Sequence, residues 1–197
     1  MHHSIHFKTL VMTSPTGTTA KSNVGLTYGL IGGIAMIVYT LCLYLVGIQA
    51  FMNFGLAFLV YGIIIFIAVL AGLKQKKLQG GYLSFAEALK TVFLTFVLAF
   101  LLSTIFNFVL LNYIDPGFRD QMAQATMEKL EGIMRRLGAP DSDIEKAMEG
   151  AASADNYTFA KMLLGYGTMC ILFCLISLVI AAIIKKNRPP FDNAFKE

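Results

Sequence analysis

Charge is what this sequence has least of. Asp, Glu, Lys and Arg make up only 14% of 197 residues, and none occurs over the 52 positions between Lys21 and Lys74. An average soluble domain carries about 25% charged residues, so the scarcity excludes an ordinary water-facing surface for most of the chain. With 56% hydrophobic residues and a mean hydropathy of +0.66, the composition is that of a membrane protein. A crossing takes about 20 apolar residues for roughly 30 Å of hydrocarbon, so the uncharged run holds two crossings and a short turn.

Cysteine and histidine are also scarce. Cys42, Cys170 and Cys174 all lie in apolar segments, which excludes a secreted disulfide framework and any zinc site of familiar spacing. Cys170 and Cys174, four apart, share a helix face but lack histidine partners and lie too deep for lipidation, so they read as packing residues. His2, His3 and His6 sit in a polar N-terminal stretch that offers no preorganised geometry for a metal. That stretch lacks the apolar core of a signal peptide; residues 1–23 read as a disordered cytoplasmic tail, with Met12 as an alternative start. No nucleotide loop, catalytic triad or metal motif occurs, so no catalytic residue, metal or cofactor is expected, and no nucleic-acid partner.

What is present is long apolar segments with marked ends. The first span covers 24–47 and carries Gly25, Gly29 and Gly33 on one face. Such a face lets another backbone approach closely, either within the chain or across a homodimer seam. A short turn leads to a second span, 54–73, which ends in a basic cytoplasmic loop, 74–83, containing Lys74, Lys76 and Lys77. The third helix covers 84–113. Ser84 and Glu87 form the pattern of a capping box, 21 uninterrupted apolar or weakly polar residues follow from Thr91, and Asp115-Pro116 stops the run. Tyr82 and Tyr113 mark its two interfaces.

From 115 to 161 the character changes to nine acids and six bases. Phe118, Met122, Leu130, Ile133 and Leu137 recur near a 3.6-residue period and predict an amphipathic helix closed by Gly138 and Pro140. Ser142 and Glu145 suggest a second capping box opening a shorter helix, so the insert reads as an extracytoplasmic helical hairpin. A fourth span, 162–184, is followed by a basic cytoplasmic tail, 185–197, with Lys185, Lys186 and Arg188. Counted by side, the predicted cytoplasmic segments sum to +7 and the insert to −3, which together give the chain's +4. This follows the positive-inside bias and predicts an all-α, four-span inner-membrane protein with both termini cytoplasmic.

No span carries an ionisable residue near its middle. Asn107, Ser103, Thr104, Thr95 and Thr40 are the polar groups available there. Serine and threonine bond their own helix, whereas a single asparagine is expected to pair across helices as structural glue. Glu87 and Lys90 are spaced for an i,i+3 contact at the rim of the third helix or for receiving a headgroup or partner. Arg135 and Arg136 fit either a solvated face or a contact to a carboxylate or phosphate.

The segment GYLSFAEALKTVF after a basic loop, the span ending NYIDPGF, the insert beginning FRDQMAQATMEKLEGIM and the closing KK together carry a resemblance. Over Ser22 to Lys186 the chain resembles a bacterial membrane-protein family, mainly of Bacteroidota, catalogued as domain of unknown function 4199. The resemblance implies a four-helix inner-membrane protein and supplies no activity. The resemblance also implies a link to envelope biogenesis, since relatives often sit near genes for a membrane glycosyltransferase acting on a polyprenyl carrier. Three functions are then open: an accessory or scaffold working with the bilayer, its own copies or another envelope membrane protein; an oligomeric transporter or channel using Asn107, Ser103 and Thr95; and a lipid enzyme needing Glu87, Asp115 and the arginines to converge. Tyr82, Ser84, Glu87, Lys90, Arg135 and Arg136 are the candidate interaction residues, and Gly25, Gly29, Gly33 and Asn107 the candidate packing residues.

Overall fold

A computed structural model describes residues 23–152 and 154–187. The expectations placed on His2, His3, His6 and Arg188 concern residues outside that range. Among the described residues seven α-helices run in chain order: α1 (Val24–Val46), α2 (Ile48–Phe51), α3 (Phe54–Leu78), α4 (Phe85–Val109), α5 (Pro116–Arg136), α6 (Asp141–Ala152) and α7 (Phe159–Ile184). A π-helical turn, Leu110–Ile114, prolongs α4, and a short 3-10 turn, Ala154–Tyr157, precedes α7. Among the described residues there is no strand, only one isolated β-bridge between Leu83 and Lys186.

Among the described residues four helices are long and apolar enough to cross a bilayer: α1, α3, α4 with its π turn, and α7. Their outward faces carry large bare side chains, among them Leu45, Phe58, Phe66, Leu164 and Ile183, the last 78% exposed. Apolar surface spread over every long helix is stable only against lipid, so the protein is a multi-pass membrane protein. α3 continues past the expected end at 73 through the lysines to Leu78, and α7 begins at Phe159.

α4 is the hub, packed against α1, α3 and α7. Phe96 stacks on Phe173 of α7 with centroids 4.9 Å apart, and Phe100 meets the same ring edge-on at 5.1 Å. Ile64 and Ala68 of α3 join Val92, Ala99, Ile180 and Ala181 in one core. This core occupies the half of the bundle nearer the start of α4. The first half of α7, Phe159 to Leu172, contains no buried residue, whereas Phe173, Ser177, Ile180, Ala181 and Ile184 are all buried.

Gly25, Gly29 and Gly33 all face α4 of the same chain. A Cβ added at Gly25 would lie 2.9 Å from the Thr91 carbonyl, and one at Gly29 2.8 Å from Leu98 Cβ. At Gly33 it would meet Leu102. Two further glycines work the same way without having been singled out by spacing: Gly32 faces Ile64 and Ala99, and Gly72 faces Ile184 and Val92.

Candidate functional site

The turns of the bundle form two polar ends, one rich in lysine and the other in acids. At the lysine-rich end α3 closes on Gly80 and Gly81, both at positive φ (72° and 88°). Gly81 N–H donates to the Lys76 carbonyl and Gly80 N–H to Lys77, the paired bonds of a Schellman cap, which only glycine enters without strain. The chain then reverses, and Leu83 exchanges two backbone hydrogen bonds with Lys186, each 2.9 Å. Leu83 itself is buried in the core. Lys76 Nζ donates to the Ile184 carbonyl at 2.9 Å, complementing the negative end of α7. Lys186 Nζ lies 5.5 Å from the centre of the Tyr82 ring and Lys185 Nζ 5.9 Å from that of Phe85, within cation–π range.

Three helix ends are thereby clasped together around a cleft of about 350 Å³ lined by Gln79, Tyr82, Leu83, Ser84, Glu87, Lys186 and Asn187. Leu83→Pro removes the N–H that the Lys186 carbonyl accepts. Hydrogen exchange at the Lys186 amide is expected to rise about tenfold in that variant as the surviving bond loosens.

Ser84 caps α4 as expected, taking the Glu87 N–H at 3.3 Å. The reciprocal arm differs: Glu87 Oε2 accepts from the Ser84 hydroxyl at 3.0 Å. Glu87 makes no ion pair with Lys90 or with any other cation among the described residues, and Lys90 is exposed. The i,i+3 contact expected from spacing is absent because the carboxylate is turned back to the serine, toward the N-terminal end of the helix.

At the acidic end, the π turn lets Asp115 N–H reach the Leu110 carbonyl at 2.8 Å. Asp115 then caps α5, accepting from Phe118 N–H on Oδ1 and from the Tyr44 hydroxyl on Oδ2, each at 2.9 Å. The Phe118 ring packs edge-on against Tyr44 and Phe51. Further along, Lys129 donates to the Met52 carbonyl and lies over the Phe54 ring at 4.9 Å. One aspartate thus ties α1 to the root of α5.

The Phe118 amide, and after it the Tyr44 hydroxyl, hold the Asp115 carboxyl below its usual value. A depressed carboxylate stabilises the fold above its unfolded pKa of about 3.9, and that contribution is lost as pH falls through the lower folded value. Exchange in the first turn of α5 is therefore expected to rise as pH falls below about 4, after correction for the intrinsic rate. Asp115→Ala should produce the same opening at neutral pH, about fivefold, while α1 and α4 stay protected.

α6 packs on the far end of α5, where Arg135 bonds Glu131 at 2.9 Å and lies 3.5 Å from Asp141. Arg136 is exposed and makes no ion pair within the described residues. The capping box expected at Ser142 and Glu145 does not form, because α6 starts earlier, with Asp143 and Ile144 N–H groups on the Pro140 carbonyl.

Inside the bundle the Thr95, Thr104 and Ser177 hydroxyls bond their own helix as expected, and Asn107 does so too instead of pairing across helices. Asn107 Nδ2 donates to the Ser103 carbonyl of its own helix at 2.8 Å. The Tyr39 and Tyr166 hydroxyls donate across helices to the Leu56 and Val97 carbonyls at 2.7 and 3.2 Å, and Thr95, fully buried and bonded to the Thr91 carbonyl of its own helix at 2.9 Å, also lies 3.4 Å from Gly25 O on α1. Glycine makes that approach possible. Ser103, Thr104 and Asn107 line a crevice of about 300 Å³ against Met162, Gly165 and Tyr166 of α7, and Thr95 is not among its walls. Glu87 and Asp115 stand at opposite ends of a continuous helix, about 40 Å apart at 1.5 Å per residue, and the two arginines lie at the far end of α5. The convergence that a lipid enzyme would need is therefore absent from these residues. Among the described residues no three His, Cys, Asp or Glu side chains are grouped to hold a metal.

No curated protein and no solved structure is significantly similar to the chain. The family described as Protein of unknown function (DUF4199) matches residues 27–186, from within α1 to the bridge at Lys186, and the chain belongs to that family.

Proposed function

We propose that the protein is a non-enzymatic accessory or scaffold subunit of a bacterial inner membrane, acting in envelope processes through the layer formed by α5 and α6. The lysine-rich end, with six lysines and one acid among its described residues, faces the cytoplasm, and both termini lie there. The acidic end with α5 and α6 faces outward.

One observation carries this reading. α5 is fastened to the bundle at its root by Asp115 and Phe118 and past its middle by Lys129, yet Ile133 and Leu137, the apolar residues at its distal end, are 43% and 80% exposed outside every span. An amphipathic helix presented in this way is suited to a partner's groove or to its own copies. Affinity purification from native membranes in gentle detergent, after crosslinking through a photoreactive residue at Leu137, is expected to recover a defined complex. A solitary monomer with no crosslinked species would refute the proposal.

The crevice at Ser103 and Asn107 favours a second reading, a small transporter or channel. Thr95 lies outside that crevice, so the polar path is shorter than the sequence suggests, and four spans leave an oligomer to complete it. Flux through reconstituted liposomes that is unchanged by Asn107→Leu would end this reading.

A further inference from the structure

The cleft at the lysine-rich end contains opposite charges that do not use each other. Lys186 and Glu87 both line its 350 Å³, but they form no ion pair within 4 Å. Glu87 has no cationic partner among the described residues, and the Lys186 ammonium lies over the Tyr82 ring. Opposite charges on two walls of one small polar hollow, separated by a gap, match a short zwitterion better than a simple anion, which Glu87 would repel. The volume is at the small end of ligand pockets, suited to a headgroup.

The surroundings indicate a membrane source. Gln79, Ser84 and Asn187 supply neutral hydrogen-bonding groups, while the next residues along the chain, Leu78 and Phe85, are apolar and 56% and 37% exposed. Polar cleft and bare apolar flank meet at the last turn of α3 and the first turn of α4, the depth at which a phospholipid changes from headgroup to acyl chain.

We propose that this cleft binds the headgroup of an ethanolamine phospholipid, with the phosphodiester on Lys186 and the primary ammonium on Glu87. A choline headgroup has no N–H to donate to the carboxylate. A glycerol headgroup offers Glu87 neutral hydroxyls and no cation, so the carboxylate stays without a counter-charge. The site is independent of any partner on α5 and α6.

The test is native mass spectrometry of the full-length protein in detergent with equimolar phosphatidylethanolamine, phosphatidylcholine and phosphatidylglycerol. Ethanolamine lipid is expected to be retained about fivefold over the other two, the scale of one partly solvated ion pair. Glu87→Gln and Lys186→Gln should each abolish the preference. Glutamine at the third helical position still serves a capping box, and the Leu83–Lys186 bridge uses backbone only, so neither change removes the local fold. Lys90→Gln, at the same end but outside the cleft, should leave the preference intact. Equal retention of all three lipids, or preference for phosphatidylglycerol, would overturn the proposal. So would soluble phosphoethanolamine competing as well as the lipid does, since the site would then take a free metabolite.

Discussion

Gly29→Leu is expected to destabilise the bundle by forcing α1 away from α4. The glycine stands where an added Cβ would be 2.8 Å from Leu98 Cβ, an atom fixed directly to the α4 backbone. Leu98 cannot turn away, so the helices must separate. Separation also stretches the bond from Thr95 to the Gly25 carbonyl one turn earlier. Overpacking of a tight core costs about 1–3 kcal/mol, and the upper figure applies here because helix association in lipid depends on close contact instead of a hydrophobic drive. Thermal or SDS unfolding in detergent measures it. Gly62→Ala, on α3 with nothing near the added Cβ, should leave stability unchanged or raise it by up to about 1 kcal/mol.

Phe173→Ala is expected to cost nearly as much, about 2–3 kcal/mol, and to act on α7 specifically. Phe173 is the first buried residue of α7, and its ring touches both Phe96 and Phe100. In lipid the transfer part of a Phe→Ala penalty shrinks, because hydrocarbon surrounds the helix either way; the lost packing against two rings remains. Hydrogen exchange should rise throughout α7 while α1 and α3 hold. Ser177→Ala is the matched control. Its hydroxyl bonds only the Phe173 carbonyl of its own helix, at 2.6 Å, so its loss should cost less than about 1 kcal/mol.

These two sites show what was legible in the sequence and what was not. Four long apolar segments, the serine cap at Ser84 and the stop at Asp115-Pro116 depend on composition and local geometry, and each can be read without knowing its neighbours. The faces inside the spans cannot be read that way. A helix apolar all round gives no hydrophobic stripe, so only small residues reveal where backbones meet. The four-residue glycine repeat made the α1 face visible, whereas Gly32 and Gly72, outside that repeat, gave no such sign.

Asn107 departs from its expected helix-crossing role for a related reason, while Thr95, Thr104 and Ser177 bond their own helix as expected. Which polar group bonds across helices depends on local backbone separation, and Gly25 brings α1 near Thr95, whereas the wider α4–α7 crevice leaves Asn107 to its own helix. The Leu83–Lys186 bridge joins residues about a hundred positions apart in the chain, and no local pattern announces it. At the cleft, Tyr82, Ser84 and Glu87 stood out as a segment, but their partner Lys186 reads in sequence only as part of a basic tail.

The central claim is four crossings with the clasped, lysine-rich end inside and the α5–α6 layer outside. Labelling intact cells with a membrane-impermeant maleimide tests it most directly, with Cys42, Cys170 and Cys174 replaced by alanine. Single cysteines at exposed Gly132 on α5, and at Gln79 and Asn187 by the clasp, report the two ends. The account predicts that position 132 labels in intact cells and that positions 79 and 187 label only after the membrane is opened. Labelling of positions 79 and 132 from the same side would contradict it.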